Sequence, residues 1–286
     1  MTTSQTRQGG PSRRIDPATM RRFLMHEARV HAVPGRELRD LGDSILLYDA
    51  NDVEPFWNRL AAIRWPAEPD AFDRRLTEIL VLFATLARQP HIWPSPVHDS
   101  PPDLVARLLA NGFRDMGAGL LMALVDSPDS PLVPGRPAPP NVTLERAAGL
   151  GGRAAEVMAR SIVEVLVDAF EVGPERGPGV ESETAVSLRH PWFTHYLVRL
   201  DGRPAAVARR ATFDGLSYLS SIGTAAWARG RGLGRLVTAA AVGDALAAGS
   251  EWTYLGVFAD NYAAIGLYQG SGFQRVGEAG PDLLLV

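Results

Sequence analysis

Two tight turns and one glycine-rich segment constrain the fold of the second half of this chain. Asp201-Gly202 and Asp214-Gly215 each join two strand-like runs, and Asp-Gly in that position is typical of a two-residue hairpin turn. The third run leads to a glycine-rich segment at residues 229–234, which opens a helical pattern. A meander followed by helix, strand, helix and strand predicts an α/β (α+β) fold with a mixed, mostly antiparallel central sheet flanked by helices.

The spacing of apolar residues gives the predicted bounds of these elements. Helical spacing occurs at residues 154–170, 235–248 and 261–271. Residues 171–183 are rich in Gly, Pro and Glu and are predicted to form a loop. The predicted strands are residues 142–146, 193–200, 205–212, 216–224, 252–258, 273–276 and 283–286.

A proline-rich segment divides the chain. Residues 126–140 contain six prolines and little that can pack, which is typical of a semi-extended linker. Residues 1–14 are polar and are predicted to form a disordered tail. The sequence therefore predicts an N-terminal domain at 15–125 and a C-terminal domain at 141–286, each of ordinary size.

The N-terminal part repeats the order of the last elements of the C-terminal part. A predicted helix at 72–88 is followed by a short strand at 91–93, a helix at 103–110, a Gly-Phe turn and a strand at 119–125. Helix, strand, helix, Gly-Phe and strand occur in both halves. We therefore predict a degenerate internal repeat.

Composition excludes several classes of function. The chain has 286 residues, no cysteine and no lysine, so disulfides, thiolate metal sites, cysteine nucleophiles and Schiff bases are all excluded. A net charge of −3 provides no general attraction to nucleic acid. No apolar run is long enough for a membrane span, and the first 30 residues lack the apolar core of a signal peptide. We expect a cytoplasmic protein without membrane or nucleic-acid partners.

The glycine-rich segment has a direct chemical interpretation. Glycines let a backbone approach a ligand closely, and the free N–H groups at a helix N-terminus bind phosphate or pyrophosphate. Arg229 and Arg231 add positive charge there. The alternative is an ordinary glycine-rich turn between strand and helix. The spacing matches neither a P-loop nor a dinucleotide-binding fingerprint.

A second motif follows, with the spacing Asn-x-x-Ala-x-x-Leu-Tyr-x-x-x-Gly-Phe from Asn261 to Phe273. Together with Arg229, Gly232 and Gly234 in the pattern Gln/Arg-x-x-Gly-x-Gly/Ala, it resembles the GCN5-related N-acetyltransferase (GNAT) superfamily. The resemblance covers about residues 142–286 and implies a GNAT-like acyl-CoA transferase fold. The N-terminal part resembles a second, degenerate GNAT-like lobe, as in tandem acetyltransferases.

The resemblance implies that acetyl-CoA is the cosubstrate, that a small-molecule or peptide amine is the acceptor, and that no metal takes part. Tyr268 would protonate the departing CoA thiolate, and Asn261 would contact the pantetheine arm. Ile222, Gly223 and Thr224 would pair with that arm and polarise the thioester. The pyrophosphate would be held by the backbone of Arg229, Gly230, Arg231, Gly232, Leu233 and Gly234.

The general base stays open at this stage, because the family's glutamate has no counterpart on the run 216–224. The candidates are Glu181, Glu183, Glu251 and His195, although each also has an ordinary structural interpretation.

In the N-terminal half, Leu108 stands where the motif has its tyrosine and Pro101 where it has its asparagine. That half is therefore expected to form one wall of the acceptor cleft and to take no part in catalysis. The aromatic and proline cluster at 90–96 is interpreted as an interdomain contact or a substrate-recognition element.

Two functions are consistent with these observations. The first is an N-acetyltransferase that moves the acetyl group directly to a primary amine in a ternary complex. The second is a non-catalytic acyl-CoA sensor or scaffold. The acceptor and the oligomeric state stay open.

Overall fold

The computed structural model describes residues 14–124 and 139–286. Almost all of the predicted tail at 1–14 and of the predicted linker at 126–140 lies outside these residues. In the described parts of the chain, eleven strands form one sheet. No helix there is long and apolar enough to cross a bilayer.

Five strands of the sheet come from the N-terminal half of the chain and six from the C-terminal half, and all eleven belong to one continuous sheet. The strands are β1 Glu37–Asp40, β2 Ile45–Tyr48, β3 Arg59–Ala61, β4 His91–Ile92, β5 Phe113–Leu124, β6 Val142–Ala147, β7 Phe193–Leu200, β8 Arg203–Phe213, β9 Leu216–Thr224, β10 Trp252–Phe258 and β11 Phe273–Leu285. The α-helices are α1 Pro17–Ala32, α2 Pro69–Thr85, α3 Leu104–Ala110, α4 Gly152–Phe170, α5 Gly177–Arg189, α6 Leu233–Ala247 and α7 Tyr262–Gln269.

Alternate side chains of β8 show how the helices cover both faces of the sheet. Successive strand residues point to opposite faces. Ala206 and Ala208 pack in the cluster that contains α6, whereas Val207 packs in the cluster that contains α4 and α5. The mixed sheet with helices on its faces confirms the predicted fold class.

The two halves of the chain exchange their last strands. The order of the strands is β1-β2-β3-β4-β11-β5-β10-β9-β8-β7-β6, so β11 lies between β4 and β5, and β5 lies between β11 and β10. Leu283 of β11 is fully buried in the N-terminal core, opposite Ile92. Because the halves share one sheet, the domain bounds proposed at 15–125 and 141–286 stay a prediction.

The hairpin turns have the backbone conformation that Asp-Gly favours. Asp201 and Gly202 have φ values of +52° and +79°, and Asp214 and Gly215 have φ values of +50° and +75°. Two consecutive positive φ values define a type I′ turn, whose twist matches the flanking strands. Strands β7, β9 and β10 have the predicted bounds.

The prediction of a loop at 171–183 is wrong for residues 177–183, because α5 begins at Gly177. Ala185 and Leu188 of this helix are buried against α4, and this packing outweighs the low helix propensity of its first residues. Residues 273–276 and 283–286 are predicted as two stretches of strand, but residues 273–285 form the single strand β11. Its pairing with β5 shifts register twice, between Val276 and Leu283, which interrupts the apolar alternation.

Candidate active site

Strands β9 and β10 separate halfway along their length. They pair in parallel from Leu216 with Trp252 to Leu219 with Leu255. Beyond that point β9 continues to Thr224, but its edge has no ladder partner in β10. A register shift between β8 and β9, with Ser221 at φ +52°, bends β9 there. The result is a gap that exposes strand N–H groups.

A cleft of about 410 Å³ joins this gap to the N-terminal half of the chain. Its lining comes from both sides, which brings together residues more than 200 positions apart. From the C-terminal half, Ser220, Ile222, Asn261 and Tyr268 line it. From the N-terminal half, the lining residues include His31, Arg36, Phe56, Trp57 and Trp93.

The glycine-rich segment forms an uncapped helix N-terminus. Gly230 and Gly232 both have φ +77°, in the left-handed region that favours glycine. No side chain caps α6, so the first N–H groups of that helix lack an intrahelical acceptor. A Cβ added at Gly230 or Gly232 would meet nothing within 4 Å, so this surface is open. The geometry fits the binding of an anionic phosphate group.

Two other glycines allow close packing beside this segment. A Cβ at Gly223 would lie 2.9 Å from the Ala169 Cβ, so glycine lets β9 approach α4. A Cβ at Gly234 would lie 3.1 Å from the Thr224 Oγ1. The guanidinium of Arg229 donates to the carbonyl oxygens of Thr224 and Ala169, each at 3.3 Å. Arg229 thus ties the glycine-rich segment to β9 and to the end of α4.

Asn261 and Tyr268 lie at the two ends of α7. The Asn261 Oδ1 accepts a hydrogen bond from the Ala264 N–H at 3.1 Å and caps the helix. The Tyr268 ring is 7% exposed and packs at 6.1 Å from the Phe273 ring. Burial raises the pKa of Tyr268 to about 12. The hydroxyl therefore carries its proton at neutral pH.

Two of the candidate bases lie outside the lining of the cleft. Glu251, just before β10, pairs with Arg22 at 2.8 Å, and both side chains are about half exposed. The Arg22 guanidinium lowers the pKa of that carboxyl. Glu181 on α5 does not line the cleft either.

The other two candidates are engaged by neighbouring side chains. His195 is buried, its Nε2 lies 2.8 Å from the Ser187 Oγ, and burial lowers its pKa to about 3. It does not line the cleft. Glu183 does, but its carboxylate accepts a hydrogen bond from the Arg36 guanidinium.

A histidine of the N-terminal half, His31, also lines the cleft and was not predicted from the sequence. The His31 Nε2 lies 2.8 Å from the Glu27 Oε1, one helical turn away on α1. Glu27 also accepts two hydrogen bonds from the Arg59 Nη2, at 2.7 and 2.9 Å. The Arg59 guanidinium, with His31 beside it, holds the pKa of the buried Glu27 carboxyl at about 2, while burial lowers the pKa of His31. His31 is therefore neutral at pH 7, beside an ionised carboxylate.

A signal for this helix was present in the sequence. Asp16 followed by Pro17 is typical of a helix start, and the Asp16 carboxylate accepts from the N–H groups of Ala18 and Thr19. The spacing of Glu27 and His31 then places both on one helix face. Their position in the cleft depends on long-range packing and had no sequence signal.

Residues 160–273 match the model of the acetyltransferase (GNAT) family. A mycothiol acetyltransferase from Saccharopolyspora erythraea is 32% identical over 142 residues, which is 48% of this chain. The chain spans 45% of the length of that relative.

Two solved structures have the same fold over most of this chain. A GCN5-related N-acetyltransferase from Kribbella flavida matches with a TM-score of 0.64 and 22% identity, over 91% of this chain and 94% of its own. A tandem GNAT protein from the clavulanic acid biosynthesis pathway matches with a TM-score of 0.61 and 17% identity, over 90% of this chain and 86% of its own.

The chain therefore has the fold of GNAT proteins, with a second GNAT-like lobe in its N-terminal half. More narrowly, residues 160–273 resemble the acetyltransferase (GNAT) family in sequence, and the N-terminal half is GNAT-like in fold as well. The family resemblance read from the sequence is confirmed. Acetyl-CoA is the cosubstrate of that family.

Proposed function

We propose that this protein is an N-acetyltransferase that moves the acetyl group of acetyl-CoA to a primary amine by direct transfer in a ternary complex. One observation carries the proposal: a single cleft joins the gap between β9 and β10 to the buried Tyr268 hydroxyl and to polar side chains of the N-terminal half. An enzyme that brings two substrates together needs such a shared space.

The uncapped N-terminus of α6 would bind the pyrophosphate of acetyl-CoA through the backbone of residues 229–234. The pantetheine arm would then follow the unpaired edge of β9 at Ile222, Gly223 and Thr224, and pass Asn261. Strand N–H groups at this edge would polarise the thioester carbonyl. The reactive carbon would then lie inside the cleft.

The chemistry is an attack of the amine nitrogen on the thioester carbonyl carbon. A C–N bond forms, the C–S bond breaks, and the electron pair leaves with sulfur. The Tyr268 hydroxyl would give its proton to the departing thiolate. The attacking nitrogen loses one proton in the same process.

His31 would accept the proton that the amine nitrogen loses. Its neutral imidazole has a free electron pair, and the Glu27 carboxylate beside Nε2 stabilises the cation that forms. The other titratable groups of the cleft that can act as a base are both paired: Glu183 with Arg36, and Asp282 with His91. The N-terminal half would thus take part in catalysis as well as wall the cleft.

The variant His31→Gln is expected to lower kcat by roughly 10²-fold, a typical contribution of general base catalysis. In the wild type, kcat should fall as the pH drops below 6.5, because burial lowers the pKa of His31 and the neutral form is required. This acid limb should vanish in the variant. The measurement is kcat against pH at saturating acetyl-CoA.

His26→Gln is the matched control, because His26 lies on the same helix, contacts the Tyr254 hydroxyl at 2.8 Å and does not line the cleft. It should keep the acid limb. An unchanged pH profile in His31→Gln would exclude His31 as the base.

The variant Gly232→Asp is expected to weaken acetyl-CoA binding by roughly tenfold or more, because it strains a left-handed residue and places a negative charge at the pyrophosphate site. Gly249→Asp is the control: Gly249 has φ +71° near the other end of α6, with nothing within 4 Å of an added Cβ. Calorimetric titration measures both affinities. Equal losses in the two variants would contradict the binding site.

The alternative function, a non-catalytic acyl-CoA sensor or scaffold, shares the same binding site. Only the enzyme would release CoA from acetyl-CoA when an amine is added. The place of Tyr268 in the lining of the cleft favours the enzyme, because a sensor has no leaving group to protonate. Binding of acetyl-CoA without amine-dependent CoA release would support the sensor.

A further inference from the structure

One arginine in the cleft lacks a carboxylate partner. Arg209 of β8 lines the cleft and lies opposite Ser220, beside the bend in β9. Its Nε donates to the Ser220 Oγ at 3.0 Å. Among the described residues, no carboxylate oxygen lies within 4.0 Å of its guanidinium. Its two terminal nitrogens are left without a hydrogen-bond partner from the described chain.

The other charges that line the cleft are paired. The guanidinium of Arg36 contacts the carboxylates of Asp49 and Glu183, and the Asp282 carboxylate contacts His91. Glu183 therefore offers no free negative charge for a cationic acceptor, although its segment is acidic in sequence. Among the described residues of this lining, Arg209 is the charged side chain that has no oppositely charged partner.

The surroundings of Arg209 make a free cation costly there. The side chain is half-buried, and burial lowers its pKa. Its contact partners, the Ser220 hydroxyl and the Phe193 ring 5.2 Å from its Cζ, are both neutral and do not replace the lost hydration of the charge in full. A negatively charged ligand bound in the cleft would supply the partner that the Arg209 guanidinium lacks.

We infer that the acceptor is an amine that also carries a carboxylate, and that Arg209 binds this carboxylate through its two terminal nitrogens. The inference rests on the proposed function. A planar guanidinium with two free nitrogens on one edge matches the two oxygens of a carboxylate.

The distance along β9 limits the length of the acceptor. Arg209 lies opposite Ser220, and the unpaired edge at Ile222 is two residues further on. The Arg209 Nε donates to the Ser220 Oγ, so its guanidinium lies beside β9 close to that edge, in the same cleft. The acceptor therefore has its amine and carboxylate a few bonds apart, as in free amino acids and short ω-amino acids.

The test compares matched pairs of acceptors with the full-length protein and acetyl-CoA. One series contains α-, β- and γ-amino acids, and the other contains their primary amides, which have the same length but no negative charge. CoA release is measured for both series in the wild type, Arg209→Gln, Arg209→Lys and Arg210→Gln. Arg210 is the control, because it follows Arg209 on β8, lies outside the cleft lining and donates to the Asp244 carbonyl oxygen.

The wild type is expected to prefer the best amino acid over its amide by at least tenfold in kcat/KM. Arg209→Gln should remove this preference through a higher KM for the amino acid, with the acetyl-CoA affinity unchanged. Arg209→Lys should retain part of the preference, and Arg210→Gln all of it.

Equal or better use of the amides, or a preference that survives in Arg209→Gln, would overturn the inference and leave the proposed function standing. Failure of every amine to release CoA from bound acetyl-CoA would instead overturn the proposed function, and the inference with it. Circular dichroism of each variant separates these outcomes from loss of folding.

Discussion

Replacing Tyr268 with Phe is expected to lower kcat by about 10²- to 10⁴-fold, the usual contribution of a positioned general acid. The affinity for acetyl-CoA should stay within twofold, because the ring and its packing against Phe273 are kept. No described residue bonds to the hydroxyl, so the substitution breaks no hydrogen bond within the described chain. The measurements are single-turnover CoA release and calorimetric binding.

Tyr262→Phe is the matched control for this substitution. Tyr262 begins the same helix, is 76% exposed and lies outside the lining of the cleft. Its loss of a hydroxyl should leave kcat unchanged. If Tyr268→Phe retained full kcat, proton donation to the thiolate would have to come from another group or from water.

Replacing Arg59 with Leu is expected to lower the free energy of unfolding by about 3–5 kcal/mol, the usual cost of leaving one partner of a buried ion pair alone. Arg59 and Glu27 are both almost fully buried, and Arg59 donates two hydrogen bonds to the Glu27 carboxylate. Only His31 would then remain beside that carboxylate. Urea unfolding followed by circular dichroism measures the change.

Arg75→Leu is the control, because Arg75 also donates two hydrogen bonds to one carboxylate, that of Asp43, in a partly exposed pair. Its loss should cost about 1 kcal/mol or less. Equal losses in the two variants would contradict the role of burial.

The pH dependence of stability provides a second measurement of the Arg59–Glu27 ion pair. The folded pKa of Glu27, about 2, lies below its ordinary value of 4.5. The carboxylate therefore stabilises the fold above pH 4.5, and this contribution is lost as the pH falls toward 2. Arg59→Leu should reduce the part of the acid destabilisation that comes from Glu27.

Local signals accounted for most of the C-terminal fold. Asp-Gly turns specify their own backbone conformation, and strands with a regular apolar pattern, such as β7 and β9, have the predicted bounds. Helix α5 was missed because its Gly-Pro start is typical of a loop, whereas its burial against α4 is a tertiary effect. The short strands β1, β2 and β3 were missed because each has only three or four residues.

The candidate site likewise contains some residues that the sequence predicts and others that only the structure reveals. The glycine-rich segment and the motif that ends in Tyr268 were readable, because backbone conformation and helix spacing depend on neighbours in sequence. The roles of these residues stay predictions. His31, Arg36 and Arg209 were not found, since their place in the cleft depends on contacts between distant parts of the chain.

The sequence by itself determined the resemblance to the GNAT family, the order of the C-terminal elements and the position of the glycine-rich helix start, because each follows from short-range patterns. Only the tertiary structure decided that the halves exchange their last strands, that α1 brings His31 to the cleft and that Arg209 has no carboxylate partner. These features arise from long-range pairing and burial, for which neighbouring residues carry no signal.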